Sequence, residues 1–341
     1  MTLFNGGLKQ LVLSLLCTAA MVNPALAERM TPALNTTLCA AADSAESYRG
    51  AFLKSFKTLQ KGNQNWLYRD MDLKRAYGPR AAGYDSLQDL QRLLQSRGTT
   101  LVMVPIPGRA LIHPEYLGDI DYDVQRGRQS YSRYLEQLRA IQIVVPQINS
   151  LFEQTHSKPL FFARDHHWNH HGARTIARLT AYAIKGQKIS GIGKKAFSSY
   201  SVGGDHNDGS LQRAALELCK QRYPKEPFKL YQTVAMSSSL DDDLFAELVE
   251  AQIVLVGTSN SKGRLHFNFD GFLAHYVGAT VNNKAKSGGG FGGALKDYLD
   301  SKDFNESPPR ILVWEVPGYY SLNDPAFFGD LLLGLEVKSS S

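Results

Sequence analysis

Four of the nine histidines stand in one run, Asp165-His166-His167-Trp168-Asn169-His170-His171, directly after the apolar Leu160-Phe161-Phe162. Asn169 suits the N-cap of a helix beginning at His170, which leaves Asp165 to His167 in extended chain, where residues i and i+2 project to one side. Asp165 can then orient His167. A carboxylate that accepts from one ring nitrogen fixes the tautomer and stabilises the imidazolium formed when the other nitrogen takes a proton, which is what a general base needs. The same residues admit other readings. Asp165 and Asn169 could serve only as caps at a helix entry. His166/His170 and His167/His171 are four apart, a spacing that puts two imidazoles on one helix face, and Asp165 could complete a zinc site. A cap at Asn169 argues against metal, because it leaves His166 and His167 outside the helix.

A second segment, Ile253-Val254-Leu255-Val256-Gly257-Thr258-Ser259-Asn260-Ser261, reads as a buried strand running into a small-residue turn before a helix from about Leu265. This resembles a nucleophile elbow: Ser259 is presented at the carboxyl end of the strand, Gly257 permits the turn, and the amides of Ser259 and Asn260 are offered to an oxyanion. Many such turns use serine only as a cap. Taken together, the two segments supply a nucleophile, a base and an orienting carboxylate, and acyl transfer becomes the leading chemistry. No Walker-type phosphate cradle is present.

These side chains need a frame. Leu87, Leu90, Leu93 and Leu94 recur at helical spacing and stop before Gly98, and Thr100 to Pro105 then reads as a strand. A helix ending near Lys61, helices around residues 131–140, 170–185 and 240–251, and a strand around 141–145 continue the alternation. Ile253 to Val256 and Ile311 to Trp314 are continuous apolar runs, as in strands covered on both faces. The expected fold is an α/β three-layer sandwich with a mainly parallel sheet. Residues 186–212 lack periodicity and read as a long loop, either a lid or an inert excursion.

The 341 residues carry 38 Lys+Arg against 32 Asp+Glu, with 43% hydrophobic residues and a mean hydropathy of -0.26, an ordinary globular composition. Residues 1–27 read as a secretory signal peptide: Lys9 is the basic residue, Leu11 to Val22 the apolar run and Ala25-Leu26-Ala27 the cleavage site. The remainder, 28–341, reads as a single domain. Discarding Cys17 with the signal leaves Cys39 and Cys219, an even pair in an exported chain and an expected disulfide. The basic excess forms no dense block, which argues against nucleic acid and for an anionic partner such as an acidic polysaccharide.

Asp165-His166-His167-Trp168 with Gly172-Ala173, then Gly257-Thr258-Ser259, then Trp314-Glu315-Val316-Pro317, resemble in order the motifs of the AlgX/AlgJ alginate acetylation family of the SGNH-hydrolase-like superfamily. The likeness runs from about Trp66 to Tyr320. It implies a periplasmic polysaccharide O-acetyltransferase with Ser259 as nucleophile, His167 as base and Asp165 as carboxylate. It also implies no cofactor, and a membrane-bound O-acyltransferase system as the acetyl source. An O-acetylesterase using the same triad and a non-catalytic scaffold of an export complex are the alternatives. AlgX carries a carbohydrate-binding module after its catalytic domain, and none is expected here. Arg109, in a segment similar to the family's, is a candidate to grip a uronate carboxylate. Tyr319 and Tyr320 are candidates to stack on sugar, and Asn283 and Gly288 to Gly290 are candidates for the oxyanion or for a turn only.

Overall fold

A computed structural model describes residues 36–190, 192–236, 253–262 and 267–339. The expected signal peptide and the helix at 240–251 lie outside the described residues. Eight strands occur among those described: β1 (Gln60–Lys61), β2 (Leu67–Tyr68), β3 (Thr100–Ile106), β4 (Phe197–Asn207), β5 (Glu226–Ala235), β6 (Ile253–Val256), β7 (Val281–Asn283) and β8 (Ile311–Pro317). The central sheet has the order β3-β8-β6-β7, and every pairing in it is parallel. β6 and β8 are buried at every position. Because successive residues point to opposite faces, such strands must be covered on both sides, as the continuous apolar runs require.

Helices supply that cover, and their ends follow from sequence. In the helix Ala81–Ser96, Leu87, Leu90, Gln91 and Leu94 turn one stripe to the core. It ends because Gly98 adopts a φ of 75°, so that its N–H reaches Gln95 O while Thr99 N–H reaches Leu94 O, a paired closure of the last turn. That closure delivers the chain straight into β3. The helix Val124–Ala140 follows; the strand expected at 141–145 shrinks to a single parallel bridge, Val144 to Val102 on β3.

Two other expectations change. The helix expected to end near Lys61 is a short one, Gly50–Lys54, and Lys61 lies in β1. The stretch 186–212 holds β4, which pairs with β5 as a two-stranded antiparallel ribbon bulged between Ser201 and Gly203. Its period-two signal is short because the alternation Ser199-Tyr200-Ser201-Val202 gives way at once to Gly203-Gly204-Asp205-His206-Asn207, with residues 200–206 all exposed. Of the helix expected from about Leu265, the structure describes Phe269–Val277. Among the described residues no helix is long and apolar enough to cross a membrane.

Beside the main core lies a smaller one, built from Ala42, Tyr48, Leu53, Phe56, Leu59 and Leu67 against Leu211, Ala214 and Ala215. Cys39 and Cys219 are joined across it, 180 residues apart. Cys219 ends the helix Ser210–Cys219, so the bridge fixes that helix to the first described segment. Closing so long a loop restricts the unfolded chain by about 5 kcal/mol in the loop-entropy account. Thiol titration of the denatured, unreduced protein is expected to find neither Cys39 nor Cys219 free, and reduction is expected to lower the denaturation midpoint; an unchanged midpoint would remove the bridge from the account of stability.

Candidate active site

The segment before the histidine run is fixed from both sides before any reactive residue is reached. Arg109 donates to Leu67 O at 2.6 Å, Phe162 O at 2.7 Å and Ala163 O at 2.8 Å, while Glu226 accepts from the N–H groups of Ala163 and Arg164, each at 2.8 Å. One cation thus satisfies the carbonyls, and one carboxylate the amides, of a single short segment. Phe161 and Trp168 then form an antiparallel bridge, closing a tight excursion with Asp165 and His167 at its tip. Asn169 seals it: Oδ1 accepts from His171 N and Gly172 N as the cap of the helix His170–Gly186, while Nδ2 donates to Pro159 O and Phe161 O. Gly172 is required there, because a Cβ would run into Leu160 O and come within 2.9 Å of Trp168 Cβ.

At the tip, His167 Nδ1 lies 2.6 Å from Asp165 Oδ1, and His167 Nε2 lies 2.8 Å from Ser259 Oγ. Asp165 is held by more than the histidine. Its Oδ1 also accepts from His167 N and Ser210 Oγ, and its Oδ2 accepts from Ser210 N at 3.0 Å and Asn207 Nδ2 at 3.2 Å. Burial alone would raise this carboxyl, but the His167 and His166 rings and the donated hydrogen bonds outweigh it and hold the group well below the usual carboxylate range. His166 goes the other way: burial, with His167 and Arg69 nearby, holds it well below the usual imidazole range, so it is neutral at pH 7. Its Nδ1 sits 2.6 Å from Ser210 Oγ. The ring of Phe267 stacks on His167 at 5.5 Å and covers one of its faces.

Ser259 stands at the carboxyl end of β6 and opens the short helix Ser259–Lys262. The serine and histidine segments are joined directly, because Trp168 N donates to Asn260 Oδ1 and Trp168 Nε1 to Asn260 O. The turn also rests on β8: Glu315, fully buried, accepts from Thr258 N at 2.7 Å and from Thr258 Oγ1 at 3.0 Å. Burial pushes the Glu315 carboxyl up to about 7 even though Thr258 and His167 favour its charge.

The other expected site residues fare differently. Arg109 is 1% exposed, with its guanidinium committed to three carbonyls and Asp72 and lying over Trp66 and Tyr68, so it holds the segment leading to Asp165 and is not available to a uronate. Asn283 donates to Ser261 O and accepts from Ala285 N, which makes it a brace for the serine turn instead of an oxyanion donor. Asn260 is buried, and its amide N–H points 3.3 Å to Thr258 Oγ1, so its polar groups bind within the protein. Tyr319 lies against Arg69; Tyr320 is partly exposed and packs at a tilt against Phe291. The i,i+4 metal geometry is absent, since the helix starts at His170 as its cap requires. Among the described residues Asp165, His166 and His167 bring three ligand atoms within 4.8 Å, but Asp165 and His167 there face each other and Ser259.

Asn207, Ser210, Glu226 and Glu315 carry no role in the sequence reading. A partial signal exists for the first two: Asn207 Oδ1 accepts from Gly209 N, an Asx turn that announces the helix at Ser210. Asp165 therefore lies at a helix N-terminus, where backbone donors favour its charge.

Residues 59–318 match the model of a family described as SGNH hydrolase-like domain, acetyltransferase AlgX. The chain belongs to this family. The match spans all three motifs. The alginate biosynthesis protein AlgX of Pseudomonas aeruginosa is 34% identical over 298 residues, covering 85% of this chain and 62% of that protein. AlgX of Azotobacter vinelandii is 33% identical over 301 residues, covering 86% and 62%. The chain thus spans under two thirds of the length of these AlgX proteins. The solved structure of P. aeruginosa AlgX superposes with a TM-score of 0.80 at 33% identity, over 88% of this chain and 72% of that one. The O-acetyltransferase domain of Pseudomonas putida AlgJ shares the fold, with a TM-score of 0.66 at 24% identity, over 83% and 99%.

The depressed Asp165 carboxyl gives a signed pH effect. A group whose folded value lies below its unfolded one adds stability above the unfolded value, near 3.8, and loses it as pH falls through the folded value. The stability difference between wild type and Asp165→Asn is expected to shift against the wild type between pH 5 and pH 2 in chemical denaturation; a difference that stays constant would contradict the assignment.

Proposed function

We propose that this chain is an O-acetyltransferase acting on hydroxyls of an exopolysaccharide, alginate or a similar polymer, through Ser259, His167 and Asp165. The observation that carries the reading is the continuous pair of hydrogen bonds Asp165–His167–Ser259, at 2.6 and 2.8 Å, in a member of the AlgX family. His167 Nε2 takes the Ser259 proton as Oγ attacks the acetyl carbonyl. The donor's oxygen then leaves with that proton, and acetyl-Ser259 remains. A sugar hydroxyl, deprotonated by the same nitrogen, attacks the acyl carbon and Ser259 Oγ leaves, recovering its proton. Every proton passes through one imidazole, so the residues themselves demand no cofactor.

In this reading residues 1–27 are cleaved on export and 28–341 work as one catalytic domain in the periplasm, where the Cys39–Cys219 bridge is stable. The acetyl group comes from a membrane-bound O-acyltransferase system. The net charge, +5 once residues 1–27 and with them Lys9 are removed, suits an anionic acceptor. In this reading Tyr320, partly exposed after β8, is the aromatic that would stack on a sugar ring.

Incubating the protein with a small activated acetyl ester is expected to give turnover and an acetyl adduct on Ser259, seen by intact and peptide mass. Ser259→Ala and His167→Ala should each reduce turnover by about 10³-fold or more. Wild type no faster than Ser259→Ala would end the covalent-serine reading. Adding oligouronate separates the transferase from the esterase: acetylated sugar marks the first, and free acetate alone marks the second.

A further inference from the structure

Glu315 is a carboxyl at the centre of a parallel sheet, 0% exposed, opposite Val104 in register, and the proposed chemistry does not use it. Its two oxygens take both polar groups of Thr258, the residue before Ser259. With the Thr258 hydroxyl donating to Glu315, Thr258 Oγ1 is left as an acceptor, and Asn260 N and Nδ2 point to it at 3.3 and 3.4 Å. Asn260 Oδ1 is in turn left to accept from Trp168 N, and Asn260 O accepts from Trp168 Nε1. All donors in this series point one way, from the residue after His167 to the carboxylate under Ser259. Gly257 is shaped to the same contact: a Cβ there would lie 2.6 Å from Glu315 Oε2.

We propose that Glu315 is a positioning residue which sets the direction of the Thr258 hydroxyl and so anchors, through Thr258 and Asn260, a buried hydrogen-bond series that holds Ser259 in register with His167. The proposal rests on reading these two residues as nucleophile and base. An ionised Glu315 has no proton to give, so the Thr258 hydroxyl, the one group in the series that can reverse, must donate to it; a protonated Glu315 can donate to Thr258 Oγ1 and then competes with Asn260 for the same oxygen. The groups facing Glu315 are Thr258 and Ser261 from the serine turn, His167 from the histidine segment, and Tyr320 beyond β8. Its carboxyl titrates at about 7, so the two arrangements exchange near neutral pH.

The test reads the indole N–H of Trp168 by NMR, assigned with Trp168→Phe, across pH 5 to 9, beside ester turnover. Wild type is expected to show an inflection near pH 7. Glu315→Gln, close in shape but unable to ionise, and Thr258→Val, which lacks the hydroxyl, should lose it, while Thr258→Ser should keep it. In turnover the first two variants should lose about 10-fold in kcat with KM within about twofold, and Thr258→Ser should stay near wild type. An inflection that persists in Glu315→Gln would arise from another group and would overturn the proposal, as would its absence in wild type. The inflection pattern without any ester turnover would uphold the Glu315 coupling and overturn the acyl-transfer reading instead.

Discussion

Two side chains 92 residues apart must stay within one hydrogen bond of each other, and the contact of Trp168 with Asn260 is the constraint that permits it. Each partner of that contact immediately follows one of the two side chains. Trp168 is fully buried and lies against Phe269, so the indole cannot move without disturbing the core. A side chain with that many packed neighbours is a far stiffer anchor than a surface ion pair. The remaining architecture can be understood as fixing the two ends of this clasp. β6 and β8 fix the serine end, and the helix His170–Gly186 with its Asn169 cap fixes the histidine end.

A second constraint is electrostatic. Asp165 is buried, and an unpaired carboxylate there would be expensive, yet it receives donors from His167, Ser210 and Asn207. Ser210 begins the helix that Cys219 ends, and the disulfide ties that helix to the small core around Tyr48 and Phe56. The bridge is thus one helix away from the carboxylate, and its redox state has a structural link to the site. Arg109 and Glu226 make a similar link, since they hold the backbone of residues 162–164 that leads into Asp165.

The parts of the site legible in sequence are those written locally. Asp165 and His167 are two apart in extended chain, Ser259 follows a strand and a glycine, and the Asn169 cap states where the helix starts. The parts that were not legible depend on burial and on partners far away in the chain. Arg109 looks like a surface cation until the fold places Trp66, Tyr68 and three carbonyls around it, and Asn283 looks free until Ser261 O is beside it. Ser210 and Glu226 lie 45 and 63 residues from the groups they satisfy, beyond any spacing rule. The β4–β5 ribbon was hidden for another reason: consecutive residues 200–206 of β4 are exposed on both faces, so nothing apolar is needed after Val202 to mark its period.

Glu315 shows how stability and positioning are set against each other. A carboxyl buried among the apolar residues of β8 is destabilising relative to a hydrocarbon, and its upward shift measures the environment's resistance to its charge. By linkage, a group whose folded value lies above its unfolded one costs stability as pH rises from the unfolded value, 4.5, to about 7. A leucine or valine at this position would pack without that cost. What it could not do is accept from both the amide and the hydroxyl of Thr258, and the serine turn would then keep its strand while losing its orientation. The arrangement sacrifices some stability for direction, which is the exchange expected where a backbone turn must present one oxygen to one imidazole nitrogen.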